Sequence, residues 1–204
     1  YIPEFRFAVE YNGLFYHSYN RAETTEEKNR HKNKYLMATD KNIDLIQINE
    51  HEWLKKPEII KSIIINKLGK SERIFARKCS IIKVNNDKSF MDENHIYGYG
   101  RKPLVVYGLV YGGEVVQIMS FNKHHKYQWE INRLASKLNH VIIGGTSKLF
   151  KHFVKNHGPQ QIMTYADARF GHGNVYKQLG FTNVGMTKPG YGYTKNTEYY
   201  KRQK

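Results

Sequence analysis

The chain has 204 residues, 40% of them apolar and 25% charged, enough to bury a core in one large domain or two small ones. Its 33 Lys and Arg against 18 Asp and Glu leave a formal charge of +15, a field that selects a polyanion as partner. No stretch approaches the roughly 20 apolar residues of a membrane span and none reads as a signal peptide, so no membrane partner is expected. Cys79, the single cysteine, excludes an internal disulfide or a cysteine-based zinc site and fits a reducing cytoplasm.

Phe5, Phe7 and Val9 alternate with Arg6 and Ala8, which predicts a strand. No turn or cap precedes it, so further residues are expected before Tyr1. Asn12-Gly13 marks a turn, and the polar stretch Ser18 to Thr25 reads as a loop. Glu26 to Asp40 lacks Gly and Pro and predicts a helix with His31, Lys34, Tyr35 and Ala38 near one face. Ile43 to Ile48 predicts a second strand, and Pro57 opens a helix that runs to Gly69. The polar, basic segment Gly69 to Lys78 reads as a domain boundary.

Beyond it, Ser80 to Val84 predicts a strand and Lys88 to His95 a short helix. Leu104 to Tyr111, Gly112-Gly113 and Glu114 to Phe121 spell a β-hairpin. Trp129 to Ala135 predicts another strand. Gly144-Gly145 opens a helix to about Asn156, with Leu149, Phe150 and Phe153 inward. Gln161 to Tyr165 predicts a strand, Asn174 to Leu179 a short helix, and Val184 to Tyr193 a last strand. Charge divides with the boundary. Residues 1–70 hold 12 basic and 10 acidic side chains, a net of +2, whereas 71–204 hold 21 and 8, a net of +13.

The run Ala8 to Ser18 carries the first candidate chemistry. A strand presents Glu10, turns at Asn12-Gly13 and delivers His17 a few residues later. Phosphodiester hydrolysis needs a carboxylate to hold Mg²⁺ or Mn²⁺ and a group that moves a proton at water or the leaving oxygen. Glu10 suits the first role and His17 the second. Read singly, Glu10 is also a solvated rim residue and His17 a packed ring beside Tyr16.

These residues resemble the nuclease domain of phage homing endonucleases related to the very-short-patch-repair enzymes, a branch of the PD-(D/E)XK nucleases. The resemblance runs through Tyr1 to Glu4, Val9 to Gly13, Phe15 to Ser18, Asp44 to Trp53 and Lys56 to Ser62. It implies that Glu10 is catalytic and binds the metal, that His17 is an active-site histidine, and that His31 and Lys34 supply a further polar catalytic group. Glu50 is a weaker candidate for the same site. The family's principal metal-binding aspartate is expected upstream of Tyr1. The implied protein is a phage-encoded DNA endonuclease in the cytoplasm of a bacterial host, acting on double-stranded DNA.

In the second half, Val141 to Lys148 brings Gly144, Gly145 and Ser147 to a helix N-terminus, a natural anion site or merely a tight turn. Tyr165 to Phe170 and Gly173 to Phe181 then offer Asp167, Arg169 and Tyr176. Together these segments resemble the GNAT acyltransferase core. The resemblance implies that Gly144, Gly145, Ser147, Asp167 and Tyr176 would bind acetyl-coenzyme A in an acyltransferase acting on nucleic acid or a nucleobase. Asp167 with Arg169 also reads as a structural ion pair, and Tyr176 with Phe181 as core. The basic tracts favour a DNA grip over an acyl donor: Arg101 and Lys102, Lys123 and Lys126, Lys201 and Arg202 are the expected phosphate contacts. His124-His125 has no second ligand pair at zinc spacing and reads as a loop. The expected architecture is mixed α/β (α+β), a small PD-(D/E)XK-like domain over 1–70 followed by a GNAT-like mixed-sheet domain over 71–204. A third reading is a DNA-binding protein without catalysis.

Overall fold

Apolar residues at every second position of Phe7–Asn12 (β1) and Asp44–Asn49 (β2) set two strands side by side in a computed structural model, which describes residues 1–14, 24, 26, 29–187, 192–195 and 198–201. The strands run parallel, in register from Phe7 opposite Asp44 to Asn12 opposite Asn49. A parallel pair needs a crossover, and Arg30–Asp40 (α1) lies within it; Glu26, the expected start of the helix, is helical as well, and Asn29 lies in a turn before α1. The first strand also starts late. Pro3–Phe5 coil into a single 3-10 turn that ends at Arg6 in the left-handed region, which leaves Phe5 exposed.

Glu50–Lys55 (α2) follows β2 directly, a helix absent from the sequence reading. Its start is fixed by the Glu52 carboxylate, which accepts the Asn49 N–H at 3.1 Å and satisfies a donor left over at the helix end. Pro57–Lys67 (α3) begins at its proline, as expected.

Next come Glu72–Phe75 (β3), Ser80–Lys83 (β4), Lys88–Asn94 (α4), Val105–Tyr111 (β5), Glu114–His124 (β6), Gln128–Ser136 (β7), His140–Ile143 (β8), Gly145–His157 (α5) and Ile162–Thr164 (β9). A five-stranded sheet takes the order β4-β5-β6-β7-β9, antiparallel except where β9 runs parallel to β7. The β5–β6 turn is Gly112-Gly113, both with positive φ, which L side chains resist. Leu149 and Phe153 of α5 are fully buried, with Phe153 stacked on Phe121 at 3.6 Å between ring centres. On α4, Met91 closes against Val106, Ile118 and Ala135.

The segment Gly69 to Lys78 is not a linker. β3 pairs in parallel with β8 across it, and Ile74 is buried opposite Ile142. Nor is Val184 to Tyr193 one strand: residues 181–187 have no regular structure, Val184 is 92% exposed, and 188–191 lie outside the described residues. Asn174–Gln178 (α6) forms as expected, and Gly192–Lys195 (β10) with Glu198–Lys201 (β11) make an antiparallel hairpin.

The chain is thus a mixed α/β protein, divided differently from a cut at residue 70. One unit holds 61–165. The other combines 1–60 with 166–204, so the last forty or so residues belong with the first strands. The 61–165 unit carries 17 basic and 6 acidic side chains, a net of +11, and the composite unit 16 and 12, a net of +4. Among the described residues no helix is long and apolar enough to cross a membrane.

Candidate active site

The parallel register decides which side chains share a face of the first unit. Glu10 stands opposite Gln47 and Asn12 opposite Asn49, all four on one side, while Val9, Tyr11, Ile46 and Ile48 take the other. The helix α1 lies on the polar side. Gln47, buried, donates its amide to the His31 carbonyl at 2.8 Å, and Lys34 makes an ion pair with Glu10 Oε1.

Glu10 is therefore divided between two environments. Its side chain is 16% exposed, with Oε1 on the Lys34 ammonium. Its other oxygen, Oε2, is buried and has no hydrogen-bond partner among the described residues. Asn12, 2% exposed, likewise keeps a buried Oδ1 without a partner among them. Unpaired buried acceptors are costly, about 1–3 kcal/mol each, so two on one strand face suit a ligand that supplies positive charge. A divalent cation fits, since hard ions take carboxylate and amide oxygens. Among the described residues no group of three or more His, Cys, Asp or Glu could hold a metal, so such an ion would lean on water and substrate phosphate as well.

Burial holds the His31 imidazole below its ordinary pKa, with Arg30 and Lys34 pushing the same way and Glu10 and the Gln47 hydrogen bond opposing. His31 is thus neutral near pH 7, the form that accepts a proton.

The late segment 166–172 closes the far edge of β2. The Gln47 N–H donates to the Arg169 carbonyl at 3.2 Å. The Arg169 guanidinium spans two carboxylates, reaching Glu52 at 2.8 and 3.0 Å and Asp167 at 2.8 Å. Burial by itself would lower its pKa, but hydrogen bonds and charge from Glu52 and Asp167 raise it above the usual arginine value. Nearby, the Tyr35 hydroxyl meets His172 Nδ1 at 3.0 Å, and His172 Nε2 lies 3.7 Å from Asp44. His51 stacks on Tyr199 at 4.0 Å.

Of the nuclease candidates, Glu10, His31 and Lys34 come together on the polar face of β1 and β2. His17 lies outside the described residues. Glu50 accepts the Leu14 N–H at 2.8 Å and so holds the turn after β1. Of the acyl-donor candidates, Gly144, Gly145 and Ser147 lie at the start of α5, where Gly144 and Ser147, with Phe75, Arg77, Lys148 and Lys151, line an open pocket of about 460 Å³ and Gly145 is buried. A Cβ at Gly145 would come within 2.9 Å of Ile142 Cβ as well as 2.2 Å of Gln117 Oε1, so any side chain there forces the β8 neighbour to shift. Asp167 is committed to Arg169, and Tyr176 packs edge-on against Phe181.

The basic candidates of the 61–165 unit gather at one end of its sheet. The Leu104 N–H reaches Asn122 Oδ1 at 3.0 Å, and the Asn132 amide reaches the Arg101 carbonyl at 3.4 Å. These hydrogen bonds bring Arg101 and Lys102, both exposed, to the strand end that carries Lys123 and Lys126. Lys123 lies over the Trp129 ring at 3.7 Å. Lys201 ends β11, with its side chain undescribed, and Arg202 lies outside the described residues.

The sequence reading missed Asn12 and Gln47 as members of the polar face, although both were visible as polar residues at alternate positions of a strand. It missed the Arg169–Glu52 and Tyr35–His172 pairs for lack of any local signal. Compared with family models, characterised proteins and solved structures, the chain finds no match.

Proposed function

We propose that the protein is a DNA endonuclease of the homing-endonuclease type, hydrolysing phosphodiesters with Mg²⁺ or Mn²⁺ in the cytoplasm of a phage-infected bacterium. The observation that carries this reading is the divided Glu10 carboxylate, one oxygen neutralised by Lys34 and the other buried without a partner among the described residues.

In this reading Glu10 binds the ion, which when present supplies positive charge against the phosphodiester oxygens and makes water more acidic. His31, neutral at pH 7, accepts the proton that the attacking water gives up. Lys34 balances the Glu10 charge and offers its exposed ammonium to a phosphate. The 61–165 unit grips the duplex through Arg101, Lys102, Lys123 and Lys126, and its net +11 draws the polyanion in.

The decisive experiment is supercoiled-plasmid cleavage by the full-length protein. Cutting is expected with Mg²⁺ and is lost on chelation. Glu10→Gln is expected to lower the rate by at least 100-fold while leaving DNA affinity within about twofold, because it removes ion charge and little else. Equal cutting by both proteins would sink the reading. A second reading, transfer from an acyl-coenzyme A, draws on the basic, Gly-led pocket at the start of α5. Micromolar coenzyme A binding by calorimetry together with no DNA cleavage would reverse the order of the two.

A further inference from the structure

The polar face of β1 holds more than the glutamate that the nuclease reading uses. Asn12 stands two residues after Glu10, on the same side of the strand. Its side chain is almost wholly buried, and Oδ1 finds no hydrogen-bond donor among the described residues. Carbonyl oxygens of this kind are rarely left so in native folds, because the desolvated acceptor destabilises the protein unless something else satisfies it.

The strand opposite does not meet the need. Gln47, level with Glu10, turns its amide to the His31 carbonyl. Asn49, level with Asn12, commits its backbone N–H to Glu52 at the start of α2, and its side chain gives Asn12 Oδ1 no hydrogen bond. Lys34, the cation of the face, sits on Glu10 Oε1. Among the described residues, Glu10 Oε2 and Asn12 Oδ1 are carboxylate and amide oxygens of β1 left without a donor.

We infer that Asn12 is a second protein ligand of the divalent-cation site, its Oδ1 binding the same ion as Glu10 Oε2. The inference rests on the reading of this face as a metal site. Residues two apart on a strand have Cα atoms about 7 Å from one another, and their side chains leave the same face side by side. Ligand oxygens on opposite sides of a Mg²⁺ ion lie about 4 Å apart, a span that two converging side chains of this length can close. One carboxylate and one neutral amide oxygen make a site of low charge. Such a site binds the free ion weakly but measurably, and water and a substrate phosphate complete its coordination.

The test is Mn²⁺ binding by the full-length chain without DNA, read by calorimetry with MnCl₂ and by the electron paramagnetic resonance of free Mn²⁺. Folding is checked by circular dichroism. Wild type is compared with Glu10→Gln, Asn12→Ala and Asn12→Asp. Expected are loss of measurable binding in Glu10→Gln, a Kd raised at least 10-fold in Asn12→Ala, and a Kd lowered several-fold in Asn12→Asp, where a carboxylate replaces the amide. If Asn12→Ala fails to fold, Asn12→Asp decides alone: tighter binding supports the assignment and an unchanged Kd overturns it. Folded Asn12 variants that bind Mn²⁺ within twofold of wild type, beside a Glu10→Gln that does not bind, would reduce Asn12 to a structural residue and leave the nuclease reading standing. A wild-type protein that binds no Mn²⁺ would remove both.

Discussion

Replacing Arg169 with methionine keeps most of the side-chain volume and removes the guanidinium that ties the late segment to α2. Arg169 donates to both Glu52 oxygens at 2.8 and 3.0 Å and to Asp167 at 2.8 Å. Asp167 is partly exposed and regains water when its partner is removed, whereas the Glu52 side chain is only 9% exposed and does not. Breaking a buried pair by removing one partner costs about 3–5 kcal/mol, most of it the stranded charge. Since Asp167 rehydrates, the lower part of that range applies, about 3–4 kcal/mol. With a urea slope of about 2 kcal/mol/M, the midpoint falls by roughly 1.5–2 M. Of the two tryptophans, Trp53 lies on α2 beside Glu52 and Trp129 in the other unit. In a Trp129→Phe background, Trp53 fluorescence therefore follows the unit that Arg169 holds. Adding Glu52→Gln to Arg169→Met should recover at least half of the loss, because it removes the stranded charge and keeps an acceptor for the Asn49 N–H. A single-variant loss below about 1 kcal/mol, or a double variant worse than the single, would refute the argument.

His157, hydrogen-bonded to the Tyr107 hydroxyl at 3.0 Å, has its pKa lowered first by burial and then by Lys123, Lys83 and His152. The folded form binds its proton at lower pH than the unfolded chain, so this contribution to stability is full above about pH 6.5 and is lost as pH falls below it. The thermal midpoint of the 61–165 unit should therefore drop from pH 7 to 5, and His157→Gln should flatten that slope; an unchanged slope contradicts the assignment. Lys123→Gln with Lys126→Gln should reduce the slope of log affinity against log salt for duplex DNA by about one unit for each phosphate that is no longer neutralised. An unaltered slope would count against these lysines as phosphate contacts.

Local pattern made much of the fold legible before any coordinates. The Gly112-Gly113 hairpin, the Pro57 helix start and the Leu149 and Phe153 face of α5 all follow from periodicity and turn chemistry within a dozen residues. Glu10, His31 and Lys34 were legible as candidates through resemblance, and the packing of α1 on the polar face of the two strands is what brings Glu10 and Lys34 together. Short strands were less visible. Glu72–Phe75 has four residues with Arg73 in its midst, and only its pairing with His140–Ile143 makes it a strand. The division into units was illegible for a plainer reason. It is set by pairings such as Arg169 to Glu52, 117 positions apart, and neither composition nor charge balance records them. The late basic excess pointed to the right sign, but the structure assigns 166–204 to the other unit.

The interleaving of the two units also orders events during synthesis. When residues 1–60 leave the ribosome, the edge of β2 is bare and Glu52 has no guanidinium to meet. At about 5–20 residues per second, the 117 residues that separate Glu52 from Arg169 take roughly 6–25 s to make. The 61–165 unit emerges whole in that interval and folds from contiguous chain. The polar face of β1 and β2 is therefore completed last, after the more basic unit already exists. Under the proposed nuclease function, nascent chains would hold DNA before they can cleave it.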